Sequence, residues 1–242
     1  MSAALAATDV SRAFRGGAGV HGIDLRVHAG EIRALAGLNG AGKTTLMKLL
    51  LGMLRPSSGE VRMDGTLLDR MPASAWSRVG HVIEQPLAYG DLTARENLLL
   101  AARLHGVPAS VAADIVDAAI NAFALERYAT VRVRRLSAGN RQRVGLAAAM
   151  QHQPRVLVLD EPTSTLDPAG VLILRDALRR LRDVGSAVLV SSHHLDEVAR
   201  VADGITVVNA GRVVGALDPA GSYLEQAFFA LVLADDERRG QA

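Results

Sequence analysis

The chain has 242 residues, 49% of them hydrophobic, enough for one substantial domain or a domain carrying a subdomain. Its 27 basic and 25 acidic side chains leave a net charge of +2. Arginines such as Arg175, Arg179, Arg180 and Arg182 are spread over polar helix faces, unlike the gathered basic patch of a nucleic-acid binder. With no cysteine there is neither a disulfide framework nor a thiolate metal site.

The opening MSAALAATDVSRAF lacks the basic start and apolar run of a signal peptide. No later stretch reaches the roughly 18 uncharged apolar residues of a spanning helix, so a soluble chain in a reducing compartment is expected. Short apolar runs then alternate with helical patterns, which predicts a largely parallel α/β sheet. The first strands are predicted at Leu5–Val10, Ile23–His28, Glu31–Ala36, Glu60–Met63 and Val79–Glu84. From about residue 92 to 150 the strand signals vanish, and Leu92–His105 and Ser110–Leu125 read as helices separated by Gly106 and Pro108. Strands resume at Val156–Leu159, Ala187–Ser191 and Ile205–Asn209. Between the first two of these, a helix over Val171–Arg182 lines up Leu174, Ala177, Leu178 and Leu181 on one face.

No linker composition or repeat divides the chain. The expected organisation is one domain over 1–217, with a core at about 1–88 and 151–217 and a helical subdomain inserted at about 89–150. The remainder, 218–242, predicts a short helix and a loose charged end (DDERRGQA).

Strand Glu31–Ala36 runs into Gly37-Leu-Asn39-Gly40-Ala41-Gly42-Lys43-Thr44, followed by an apolar helix. This is the G-x-x-x-x-G-K-[ST] phosphate loop in its strand–loop–helix setting. Glycines let backbone amides wrap phosphates, and the helix start favours negative charge. Lys43 would meet the β- and γ-phosphates, the Thr44 hydroxyl Mg²⁺, and Thr45 the α-phosphate. Downstream, Arg155-Val-Leu-Val-Leu-Asp160-Glu161 is an apolar strand ending in two acids. Alone that is a common strand end. After a phosphate loop it places Asp160 to orient Mg²⁺ and Glu161 to act as general base on water.

Leu136-Ser137-Ala138-Gly139-Asn140-Arg141-Gln142-Arg143 resembles the LSGGQ signature of ABC ATPases. Asp160-Glu-Pro-Thr-Ser-Thr-Leu-Asp167, Ser191-Ser192-His193 and Phe14 ahead of the phosphate loop agree with that family in order. The resemblance spans about Leu5 to Gly215 and implies a P-loop NTPase (RecA-like) α/β core with an antiparallel β edge and an inserted α-helical subdomain. It also implies an ATPase using ATP and Mg²⁺, cytoplasmic and held at the inner face of the cell membrane only through separate permease subunits. A second ATP-binding subunit is implied as well, with a homodimer expected in the ATP state. Each ATP would lie between the phosphate loop of one protomer and Ser137 and Gly139 of the other. His193 would contact the γ-phosphate, Asp167 would link the two sites, and Phe14 would stack on adenine.

Two departures stand out. Ala138 and Asn140 replace Gly and Gln in the signature, although Ser137 and Gly139 remain. Where the family usually has Gln-x-Pro, this chain has Ile83-Glu84-Gln85-Pro86. Glu84 there, followed by Leu92-Thr-Ala-Arg-Glu-Asn-Leu98, resembles the bacitracin-resistance and lantibiotic-immunity branch. Glu84 would then ligate Mg²⁺. A register shifted by one residue, with Gln85 as the functional side chain, is the alternative. Another export cargo, a drug or a lipid, is the competing function, and a nucleic-acid role is not expected.

Overall fold

A computed structural model describes residues 3–16, 18–86 and 88–240. In chain order the strands are β1 (Ala3–Ala13), β2 (Gly19–His28), β3 (Ile32–Ala36), β4 (Ser58–Met63), β5 (Thr66–Leu67), β6 (Val79–Val82), β7 (Val156–Leu159), β8 (Ala187–Ser192), β9 (Gly204–Asn209) and β10 (Arg212–Leu217). The helices are α1 (Lys43–Leu50), α2 (Ala94–Leu104), α3 (Ala109–Ala122), α4 (Ala138–Met150), α5 (Pro168–Asp183), α6 (Leu195–Ala199) and α7 (Leu224–Gly240). They fall into two compact units, Met1–Met71 with Ala187–Ala242, and Pro72–Ser186.

The first unit holds two kinds of sheet. In β2 the buried Val20, Ile23, Leu25 and Val27 are interleaved with exposed Asp24 and Arg26, the alternation of a strand covered on one face. Accordingly β2, β1, β4 and β5 form an antiparallel sheet in that order. By contrast every residue of β8 and β9 is buried, the continuous apolar run of strands covered on both faces. Here β9, β3 and β8 are parallel, and β10 adds an antiparallel edge to β9.

In the second unit β6 and β7 pair in parallel, register Val82 with Leu159. Helices α2, α3 and α4 pack on one another, and α4 also meets β6. A capping box starts α2: Thr93 accepts from the Glu96 N–H while the Glu96 carboxylate accepts from the Thr93 N–H at 2.7 Å. Buried Asn97 then stitches the preceding loop. Its side chain accepts from Tyr89 N at 2.7 Å and donates to Tyr89 O at 3.0 Å and Thr93 O at 2.9 Å.

Two expectations need correcting and a third holds. Strand β6 stops at Val82, because Ile83–Gln85 turn sharply, so Glu84 lies beyond the strand. The β elements were expected to end near Gly215, and β10 (Arg212–Leu217) closes them there. The charged end is helical: α7 continues through Gly240, with Arg239 paired to Asp235 and Asp236. The expected Gln241 and Ala242 end lies outside the described residues.

Candidate nucleotide site

In the first unit β3 delivers the chain into the glycine loop. A side chain at Gly37 would collide with the Val208 carbonyl. Gly40 and Gly42 take φ of 82° and 103°, a region other residues enter at a cost. Gly42 is also hemmed in: a Cβ there would lie 3.1 Å from Gly19 O and 3.2 Å from the Gly211 Cα. Both constraints demand glycine at 42, immediately before α1. At Gly40, by contrast, an added Cβ would meet open space. The loop is therefore close-packed on its outer side and open at Gly40, a cradle fit for phosphate at a helix start. Asn39 is exposed and Ala41 buried; Thr44 and Thr45 are half-buried in the first turn of α1. Lys43 is buried and donates to Gly37 O at 2.7 Å and Leu38 O at 3.3 Å, which lays its ammonium along the loop.

The parallel register Ala36 with Ser192 brings the end of β8 level with the start of that loop. His193 follows, its ring centroid 3.9 Å from that of His194. Both rings line a cavity of about 370 Å³ with Leu38 of the glycine loop and Phe228 of α7. On the other flank the β1–β2 hairpin closes through Ala13 and Gly19, the residue whose carbonyl adjoins Gly42. Phe14 stands in that hairpin, 41% exposed, its ring centroid 5.6 Å from the Arg12 guanidinium.

The second unit assembles the acids. Asp160 N–H donates to Val82 O at 2.8 Å, so Glu84 and the Asp160–Glu161 pair leave adjacent parallel strands at the same end. Asp160 is buried. Glu84 (φ 61°) and Glu161 (φ 45°) both hold left-handed backbone, uncommon for residues with a side chain. Gln85 N–H donates to Ile83 O at 2.7 Å, a three-residue turn with Glu84 at its tip and Gln85 returning from it.

The same unit carries the signature residues. Ser137 caps α4, accepting from Asn140 N at 3.2 Å, and Gly139 packs on the Thr165 backbone, where a Cβ would lie 2.8 Å from the carbonyl. Gln142 donates to Pro162 O at 3.2 Å. Asp167 caps α5, accepting from Gly170 N at 2.9 Å, and pairs with Arg143. Those two bonds, the Gly170 amide first, hold its carboxyl below the usual range. The signature helix and the segment that follows the acids, 162–167, are thus tied together at three points. Pro86 seats on α4 at Gly145, where any side chain would strike the proline ring. Sequence reasoning passed over Asn97 and Gly145; the Glu-Asn-Leu run and a glycine inside a helical pattern were the available signals.

A glycine cradle ahead of a helix and a carboxylate pair at the end of a parallel strand define a phosphate-loop NTPase. A family model described as ABC transporter matches residues 20–164. The bacitracin transport ATP-binding protein BcrA of Bacillus licheniformis is 33% identical over 215 residues, covering 88% of this chain and 69% of that protein. The daunorubicin resistance ATP-binding protein DrrA3 of Streptomyces coeruleorubidus is 39% identical over 193 residues, 80% of this chain and 61% of that one. The chain spans about two thirds of the length of such relatives. Among solved structures, an ATP-binding subunit of an ABC transporter superposes with a TM-score of 0.86 at 27% identity, over 94% of this chain and 98% of that one. This chain belongs to the ABC transporter family, as one of its ATP-binding, ATP-hydrolysing members.

Proposed function

We propose that the chain drives a separate membrane permease in an exporter for peptide antibiotics of the bacitracin or lantibiotic kind. The observation carrying this is Glu84, a carboxylate at the tip of the 83–85 turn that follows the strand paired with the one leading to Asp160, where the family usually has glutamine. Likeness to a bacitracin transport protein supports it. Likeness to a daunorubicin resistance protein favours a second reading, an amphiphilic drug as cargo.

In the proposed mechanism Lys43 and the loop amides hold the β- and γ-phosphates of ATP, with Phe14 stacked on adenine. Glu161 accepts a proton from the attacking water as its oxygen bonds to the γ-phosphorus and the bond to the β–γ bridging oxygen breaks. His193, and Ser137 and Gly139 of a second copy, donate to the γ-phosphate oxygens as charge builds there. Asp167 lies where the copies meet. Thr44, Asp160 and Glu84 would hold Mg²⁺, whose chemistry is to neutralise phosphate charge. Glu84 suits that role by its charge, and Pro86, seated on α4 at Gly145, ties its turn to the signature helix. No described helix is long and apolar enough to cross a membrane. In this reading the subunit meets the inner face of the membrane through the permease it drives.

The test is to express the chain with a permease encoded beside it in a sensitive host and measure growth inhibition by bacitracin, a lantibiotic and daunorubicin. Resistance to the peptides, lost in Lys43→Ala, is the expected result. Resistance to daunorubicin alone would replace the peptide reading with the drug reading.

A further inference from the structure

The end of α7 is bound to the end of β9 by a compact polar cluster. The Asn209 amide donates both of its protons, to Asp235 Oδ2 at 2.9 Å and Asp236 Oδ1 at 2.7 Å. Arg239 donates to Asp235 at 3.0 Å and pairs with Asp236. Asn209 and Asp235 are buried, so both depend on the bonds of this cluster. Asn209 closes β9, and the next two residues make the turn into β10, Ala210 at φ 41° and Gly211 at φ 75°.

That turn lies directly on the glycine loop. Gly211 N–H donates to Ala41 O at 2.8 Å, and Gly211 O accepts from His21 N at 2.7 Å. Backbone meets backbone here: a Cβ on Gly42 would be 3.2 Å from the Gly211 Cα, and one on Gly37 would strike Val208 O. Gly42 and Gly211 bring no side chain of their own to the contact, so a shift of the turn is passed to the loop. A trans peptide points its C=O and N–H in opposite directions. Holding the Ala41 carbonyl therefore fixes the direction of the Gly42 N–H, a donor within the phosphate loop.

We propose that Asn209, clamped by Asp235, Asp236 and Arg239 of α7, is a positioning residue for phosphate binding. Acting through the Gly211 N–H and the Ala41 carbonyl, it makes nucleotide affinity depend on the helix near the chain's end. The inference rests on ATP binding at Gly37–Thr45, and Lys43→Ala serves as the control for that reading.

The decisive variant is Asn209→Asp, which sets a third carboxylate against two and removes both donors. Binding of a fluorescent ATP analogue to the full chain should weaken by about tenfold, and the KM for ATP should rise in step. The kcat should change less than about twofold, because Glu161 is untouched. The double variant Asn209→Asp with Asp235→Asn restores an amide–carboxylate bond and should recover most of the lost affinity. Arg239→Gln, on an exposed side chain, weakens the clamp without adding charge and should cost about threefold; it carries the test if Asn209→Asp does not fold. Unchanged affinity in either folded single variant, a fall in kcat at constant KM, or a double variant as weak as the single one would overturn the proposal. If Lys43→Ala binds the analogue as wild type does, the underlying site is misplaced, and that outcome overturns the proposal too.

Discussion

Glu84 and Glu161 share an unusual backbone: both are acids, both follow adjacent parallel strands, and both sit at positive φ. Such conformations cost of order 1 kcal/mol or more and persist where surrounding structure enforces them, often at working sites. Their charges were legible in the sequence, but the turn was not, because the apolar run Val79–Ile83 promised a strand through Glu84. Separate substitutions distinguish the roles. Glu161→Gln keeps the volume and loses the base, so ATP binding should survive while turnover falls at least about a hundredfold. Near-normal turnover in a coupled phosphate-release assay would remove Glu161 as the base. For Glu84, the Gln replacement should shift the Mg²⁺ dependence of hydrolysis and slow it about fivefold, roughly a kcal/mol of transition-state stabilisation. Glu84→Ala should cost more, and Gln85→Ala should be mild. The reverse order would move the functional position to Gln85 and take with it the main support for a peptide-antibiotic cargo.

At the scale of elements, buried strands and amphipathic α5 were readable because one force, burial, shapes their pattern. What escaped was held by polar partners distant in sequence. Asp235 and Asp236 read as a solvated run because Asn209, their donor, lies at the end of β9. The ends of α2 and α4 meet in another such contact. His105 and His152 stack with ring centroids 3.7 Å apart and planes 9° apart. Beside them is a cavity of about 510 Å³ lined by Trp76, His81, Arg103 and His105, with no carboxylate in its wall. Burial pushes His152 down to about 4, with His105 adding to the effect, and burial lowers His105 and His81 as well. The folded chain thus keeps these imidazoles neutral, while the unfolded chain binds protons near pH 6.5. Their stability contribution is complete above about pH 6.5 and is lost as pH falls below it, for His152 as pH falls towards about 4. For half-buried His152, allowing for solvent screening, the loss should be on the order of 1–2 kcal/mol. Urea unfolding at pH 7.5 and pH 5, followed by the single tryptophan Trp76, should show it. His152→Gln should flatten the difference; an undiminished acid loss in that variant would place its cause elsewhere.

For the whole molecule, the two units divide the chemistry. The glycine loop, His193 and the Phe14 hairpin belong to the first, and the acids, Glu84, Ser137 and Gly139 to the second. Sequence order alone announced each motif, because each needs a particular residue at a particular spacing. Whether a site is built within one chain or between two copies is a separate question that motif spacing does not answer. Protomers with different lesions provide the test. Lys43→Ala damages the phosphate loop, while Ser137→Arg puts a bulky cation where the signature residue would reach phosphate. In a homodimer of either variant both sites would be defective. If ATP is shared between copies, one site in a mixed dimer carries both lesions and the other is intact, so mixing the inactive proteins should restore measurable ATPase activity. The recovered rate should rise to a maximum near equal amounts, as the mixed species does. A site built within one chain predicts no recovery at any ratio. Cross-linking the mixture in ATP separates a true negative from failure to pair: mixed dimers that form and stay silent would count against shared sites.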